Sequence, residues 1–357
     1  MIGIAIQMLV RDRAKYFGII LGVTLASMVI TQQGAIFIGL MSRTFSFITD
    51  VSYPDIWVMD PKVQHIDDTK PLQSTALYRV RSIAGVDWAM PLFKGQARAR
   101  LENGQFQNCV VIGLDDATLT GGPAIMTEGE LRDLRRDDAV IVDRVSAETR
   151  LAKPAAGPGM KPTPLRVGDT LELNDRRAIV VGIAETTRSF QSQPQIYTTY
   201  SRATVYTPRE RKMLTFVLVG ASKGQSIDEL CRRIEDETGL AALTREQFSW
   251  TTVGYYLKNT GIPINFGIAV ALGFVIGTII TGFMFFSFTL DNLRYFGTLK
   301  AMGASDGTLT MMVLAQALLV AAVGWGVGVG MASYFGMSMN KTVLAFRMSW
   351  QLPVVSG

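Results

Sequence analysis

Apolar positions in this chain are gathered into three long runs instead of being spread evenly. From Tyr16 to Leu40 no residue is charged, and the run YFGIILGVTLASMVITQQGAIFIGL is 25 residues long. At about 1.5 Å of rise per residue, such a helix exceeds a hydrocarbon core of about 30 Å. Gln32 and Gln33 weaken its second half. A cleaved secretory signal would have a shorter apolar stretch, and the sequence shows no clear small-x-small cleavage site followed by a mature start. The second run lies between Lys258 and Asp291 and the third between Asp306 and Lys341, both free of charge. The pattern predicts transmembrane helices over 16–42, 261–290 and 307–340.

Between the first two runs the pattern changes to that of a folded polar domain, residues 43–260. Asp55 to Met59 reads as a short strand, and Ser74 to Ile83 as a helix with Ser74 at its N-cap. Val86 to Leu101 and Phe106 to Leu114 read as strands around the turn signal Asn103-Gly104. Thr215 to Val219 predicts a strand. Ser226 to Glu237 predicts a helix with Ile227, Leu230 and Ile234 on one face. The middle, about 120–210, differs. A strand and short helix over Asp138 to Arg150 precede the Pro/Gly-rich loop AKPAAGPGMKPTP, and short strands follow at 167–173 and 178–183. It reads as a β-rich subdomain inserted into an outer α+β domain.

Basic residues beside the spans set the orientation. Arg11, Arg13 and Lys15 precede the first span, so the N-terminus is predicted cytoplasmic. Residues 1–15 read as an amphipathic helix against membrane lipid. The large domain is then exported, 291–306 is a cytoplasmic loop with Arg294 and Lys300, and 341–357 is an outer tail. An even number of crossings would return the chain to the cytoplasm, so the tail is expected to lead to a truncated fourth span.

Composition narrows the chemistry. The chain has 357 residues, 18% of them charged, and a net charge of +5. Its mean hydropathy is +0.24. Basic and acidic residues are interleaved, as in Arg132, Asp133, Arg135, Arg136, Asp137 and Asp138, so no nucleic-acid partner is expected. Cys109 and Cys231 fit buried thiols better than a disulfide framework, although one bridge in an exported domain stays open. Gly303-Ala304-Ser305-Asp306-Gly307 matches G-x-S-x-G formally. That motif needs a preceding strand and a histidine base, whereas here a membrane helix precedes it and the single histidine, His65, falls across the membrane. His65 reads as a solvated loop residue. There is no CxxC, HExxH or phosphate-binding G-x-x-x-x-G-K-[ST] pattern. No catalytic residue, metal ligand or cofactor is expected in this chain.

Two patterns remain. Gly18 and Gly22, Gly273 and Gly277, and Gly326 and Gly330 form GxxxG pairs inside the spans, where small residues let helix backbones approach closely. Packing within one chain and dimerisation are both open. The cytoplasmic loop LDNLRYFGTLKAMGASDGTL predicts a short helix over 292–302, with Leu293, Phe296, Leu299 and Lys300 on one face and Gly303 as its stop. An apolar face turned to the cytoplasm invites a soluble partner or the membrane surface.

At this loop, over Arg294-Tyr295-Phe296-Gly297-Thr298-Leu299-Lys300-Ala301-Met302-Gly303-Ala304-Ser305, the chain resembles the FtsX/MacB superfamily of ABC-transporter permeases. The likeness extends over essentially the whole chain. Pro54 to Pro61 and Ile196 to Ala203 look closest to its DevC branch. The resemblance implies an α-helical integral membrane protein with a large α+β periplasmic domain, porter-like with an inserted β-rich subdomain, in the bacterial inner membrane. The family has four spans and this sequence shows three.

It further implies a homodimer coupled to a separate ABC ATPase that binds ATP and Mg. Leu293, Arg294, Phe296, Gly297, Leu299, Lys300, Gly303 and Ser305 would form the ATPase-coupling loop. An HlyD-like periplasmic adaptor and a TolC-like outer-membrane channel would complete an exporter of the mechanotransmission type. An FtsX-like regulator of cell-wall hydrolases, a LolC-like lipoprotein extractor and a membrane-anchored ligand sensor are the competing readings. The exported region of over 200 residues and the absence of a cytoplasmic signalling domain favour the exporter.

Overall fold

The computed structural model describes residues 2–51, 54–155, 161–207, 213–339 and 345–356. The centre of the Pro/Gly-rich loop and the first part of the C-terminal tail lie outside these. The chain divides into two compact units, one of residues 1–42 with 259–357, the other of residues 43–258.

The elements run in chain order as α1 (Ile2–Arg11), α2 (Arg13–Thr44), α3 (Ser46–Asp50), β1 (Ile56–Met59), α4 (Ser74–Arg81), β2 (Val86–Arg100), β3 (Phe106–Leu114) and β4 (Ile125–Glu128). Next come β5 (Ala139–Asp143), α5 (Arg144–Glu148), β6 (Thr170–Leu173), β7 (Arg176–Glu185), β8 (Gln195–Thr199), α6 (Tyr200–Tyr206), β9 (Phe216–Ala221) and α7 (Ile227–Thr238). The chain continues through β10 (Ala241–Thr244), α8 (Arg245–Asn259), α9 (Ile262–Asp291), α10 (Leu293–Ala301), α11 (Asp306–Met339) and α12 (Gln351–Ser356).

In the first unit α2, α9 and α11 are each long and apolar enough to cross a membrane. Leu9 of α1 is fully buried with Ile19, Phe288 and Val320. The N-terminal helix, expected on the membrane surface, thus packs Leu9 into the bundle.

The second unit is a mixed sheet in the order β10-β1-β9-β2-β3-β8-β5-β7-β4, with β6 bridging β2 and β7. The pairs β3–β8 and β5–β7 are parallel. All four residues of β1 are buried because helices cover both faces of the sheet there. On one face lie Ala76, Leu77 and Val80 of α4 with Leu230, Cys231 and Ile234 of α7. On the other Trp57 packs within 6.2 Å of the Phe47, Phe216 and Phe248 rings.

Three expectations shift. Ser74 is the first helical residue and Gln73 is the N-cap, with no side-chain bond. Ile227 stays 38% exposed although it shares a helix face with Leu230 and Ile234, because it begins α7 and extends past the sheet cover. The β-rich part also starts earlier than residue 120. Strand β2 pairs with β9 from Val86 to Leu92 and with β3 from Phe93 to Arg100, so one 15-residue strand belongs to both parts.

Candidate functional site

The connection from α9 to α11 is shaped by short-range hydrogen bonds. Asn292 Nδ2 donates to the Phe288 carbonyl at 2.8 Å, and the Asn292 carbonyl accepts from the Tyr295 and Phe296 amides at 3.0 and 3.1 Å. One side chain and one carbonyl thus carry the backbone from α9 into α10. At the far end Gly303 adopts φ +98°, a left-handed conformation that glycine takes without a Cβ clash. Its amide reaches the Lys300 carbonyl at 3.0 Å, and the Ala304 amide reaches Leu299 at 3.1 Å. This is the paired bonding of a Schellman cap. Ser305 then caps α11, its Oγ accepting from the Thr308 amide at 3.3 Å and lying 2.9 Å from the Thr308 hydroxyl. Asp306 follows in the first turn, where the helix dipole favours a carboxylate, and pairs with Lys300 at 2.6 Å.

These bonds sort the residues of the loop. Gly303 and Ser305 are accounted for by the loop's own closure. Ser305 Oγ is engaged as a cap, which removes the formal G-x-S-x-G match as a nucleophile.

Phe296 corrects an expectation: it is only 8% exposed, so it does not offer its ring to a partner. Asn292 is likewise buried and Leu299 is half-buried, so the stripe 292–296–299 turns inward. Lys300 and Leu293, expected on that stripe, are exposed, with Leu293 at 55%. Arg294, Tyr295, Gly297 and Met302 are exposed as well. A Cβ added at Gly297 would meet nothing within 4 Å. A glycine inside a helix costs about 1 kcal/mol relative to alanine. Among the described residues no contact offsets that cost at Gly297.

Lys15 fixes the base of the loop, forming ion pairs with Asp12 at 3.8 Å and with Asp291. The start of α2 is thereby tied to the end of α9.

The six glycines expected to pack helices divide in two. A Cβ at Gly18 would lie 3.1 Å from Met284 Cε, and one at Gly22 would lie 2.9 Å from Thr281 Oγ1. At Gly273 it would meet Val29 at 2.9 Å, and at Gly277 it would meet Ala26 Cβ at 2.2 Å. These four close the α2–α9 contact within one chain. Gly326 and Gly330 face open space. Sequence reading missed the glycines that α11 does use: Gly324 would clash with Val23 at 2.7 Å and Gly328 with the Thr24 carbonyl at 2.6 Å. They belong to a buried stripe at four-residue spacing, Met312, Gln316, Val320, Gly324, Gly328, Ala332 and Gly336.

In the α+β unit several polar groups converge beside α3. Lys94, 6% exposed, donates to the Ile66 carbonyl at 3.0 Å, pairs with Asp67 and lies 5.1 Å from the Phe47 ring centre. Asp50 accepts from the Thr187 amide and hydroxyl, both at 2.8 Å, and burial raises its pKa above the usual carboxylate value. Arg245 donates to the Thr49 carbonyl. Asp143 accepts from the Ser146 and Gln195 amides at 2.8 Å, and burial raises its pKa too.

His65 is not a solvated loop residue. Its ring stacks 4.3 Å from Tyr255, its Nδ1 accepts from the Asp67 amide at 3.2 Å, and burial lowers its pKa. Cys109 and Cys231 are free, buried thiols. Among the described residues no group of three His, Cys, Asp or Glu side chains is placed to hold a metal ion.

Two family profiles match the chain: the MacB-like periplasmic core domain over residues 16–237 and the FtsX-like permease C-terminal over residues 267–356. Among solved structures, the periplasmic region of MacB from Actinobacillus actinomycetemcomitans is similar at 15% identity. It covers 60% of this chain and 96% of its own, with a TM-score of 0.39. The extracellular domain of the noncanonic ABC-type transporter YknZ from Gram-positive bacteria is similar at 10% identity. It covers 54% of this chain and 99% of its own, with a TM-score of 0.37. No curated protein matches the chain.

Proposed function

This chain belongs to the FtsX/MacB family of ABC-transporter permeases, and from that premise we propose that it is the membrane subunit of an ATP-driven exporter of the mechanotransmission type. Permeases of this family work with ABC ATPases. In this reading a separate ATPase, holding ATP and Mg, docks on α10, and its cycle moves the spans and the α+β unit they carry. The subunit acts as a homodimer in the bacterial inner membrane, with its N-terminus cytoplasmic and its large domain periplasmic. Arg11, Arg13, Lys15, Arg294 and Lys300 all fall on the side assigned to the cytoplasm, which supports that orientation. An HlyD-like adaptor and a TolC-like channel complete the export route, as in the DevC branch.

The observation that carries the docking assignment is Gly297. It lies in mid-helix on the exposed side of α10, with no neighbour among the described residues to require a missing side chain. A partner's surface approaching that backbone supplies the requirement. Leu293, Arg294 and Lys300 border it with one apolar and two cationic contacts, a mixed surface suited to a protein groove.

Gly297→Leu tests this by co-purification of the full chain with its cognate ABC ATPase in mild detergent. Retention should fall at least tenfold while thermal stability holds or rises. Phe296→Asp cannot serve here, because it buries a carboxylate inside the loop itself. Equal retention of the ATPase by Gly297→Leu and wild type would remove α10 as the docking element.

A further inference from the structure

The α+β unit carries an open groove of about 930 Å³ beside strand β10. Its walls come from the end of β10, the first turn of α7 and the first two turns of α8. A capping box fixes α8 at its side. The Gln247 amide donates to Thr244 Oγ1 at 3.2 Å, and the Thr244 amide donates to Gln247 Oε1 at 2.9 Å. Strand β10 ends the sheet, yet two of its amides are taken by side chains. Thr244 binds Gln247 as above, and Ala242 donates to Glu235 Oε1 at 3.1 Å. Adding a further strand is therefore blocked, and the groove is left to recognise side chains.

Its chemistry is apolar on the walls and acidic at the rim. Trp250 is 66% exposed, Ile227 is the residue of α7 that the core left out, and Leu243 is half-buried beside them. Asp55, Asp228 and Glu246 supply carboxylates. Among the described residues neither Asp228 nor Glu246 has an ion-pair partner. Arg245, which also lines the groove, is turned to the Thr49 carbonyl. Both helix N-termini that open here already carry a first-turn acid, Asp228 on α7 and Glu246 on α8. Their positive ends are thus offset, which removes the usual attraction for an anion.

We propose that this groove binds a short free peptide bearing lysine or arginine, with a cation over the Trp250 indole and a second between Asp228 and Glu246. An indole face with nearby carboxylates suits an ammonium or guanidinium. The volume is that of a small-ligand site. The site does not depend on ATPase docking at α10.

The test uses the full chain in neutral detergent and the fluorescein-labelled peptide Lys-Lys-Ala-Lys-Lys, read by fluorescence polarisation at low salt. Wild type should bind saturably, with affinity falling as salt rises. The double variant Asp228→Asn/Glu246→Gln and the single variant Trp250→Ala should each weaken binding at least tenfold. All three positions are exposed, and unchanged circular dichroism confirms that the variants fold. Glu-Glu-Ala-Glu-Glu should not bind. Absence of saturable binding to wild type, or equal binding by the variants, overturns the assignment. No ATPase is present, so neither outcome bears on α10.

Discussion

Gly277 and Gly330 look alike in the sequence, each completing a GxxxG pair in an apolar helix, and alanine should affect them in opposite directions. At Gly277 the new methyl would stand 2.2 Å from Ala26 Cβ. Carbon atoms in contact sit about 3.5–4.0 Å apart, so α2 and α9 must separate locally by about 1.5 Å. Overpacking of this kind costs about 1–3 kcal/mol. Alanine returns about 1 kcal/mol of helix propensity, leaving a net loss of about 1 kcal/mol. At Gly330 the methyl enters open space, and only the propensity gain of about 1 kcal/mol remains. The variants should therefore differ by about 2 kcal/mol, equivalent to about 4–8 °C in Tm. Thermal unfolding of both variants in one detergent, followed by tryptophan fluorescence, measures the gap. Equal shifts, or greater damage from Gly330→Ala, would refute the assignment of α2–α9 as the tight contact.

Two further outcomes follow from the α+β unit. Lys94→Met keeps the buried stem but strands Asp67 in a mostly enclosed site, so it should cost about 2–3 kcal/mol in denaturant unfolding. A cost under about 0.5 kcal/mol would mean that the pair behaves as a solvated surface bridge. Burial pushes the Cys109 thiol up to about 12 and the Cys231 thiol up to about 11. At pH 8 their thiolate fractions would then be about one in ten thousand and one in a thousand, so iodoacetamide should label neither until the chain unfolds. Labelling of either in the folded protein at a rate near that of a free thiol would contradict the buried placement.

The sequence by itself determined the features that depend on neighbours a few residues apart. Length and missing charge mark the three spans. Alternation and the Asn103-Gly104 turn mark β2 and β3. In the loop, Gly303 and Ser305 lie where a left-handed cap and an N-cap are needed, so α10 was legible to within a residue at each end. Other local elements carried weaker signals. Strand β8 and helix α6 follow a polar loop with little periodicity, and α8 was not read from the sequence, although Thr244 and Gln247 stand at capping-box spacing.

Tertiary structure alone decided which side of each membrane-spanning helix is inside. A helix that is apolar all round has no polar face to contrast with a buried one, so its sequence does not mark the packed side. In GWGVGVG the pairs Gly324–Gly328 and Gly326–Gly330 satisfy the same pattern, and only the approach of α2 selects the first. The same reason explains Phe296. On α10 it is one of several large apolar residues, and its inward turn depends on where Asn292 sets the helix leaving α9. The groove beside Trp250 depends on strands and helices far apart in sequence, from Asp55 to Trp250. Hydrogen bonds at short range are written into adjacent residues, whereas the choice of face is settled only by the partner that arrives there.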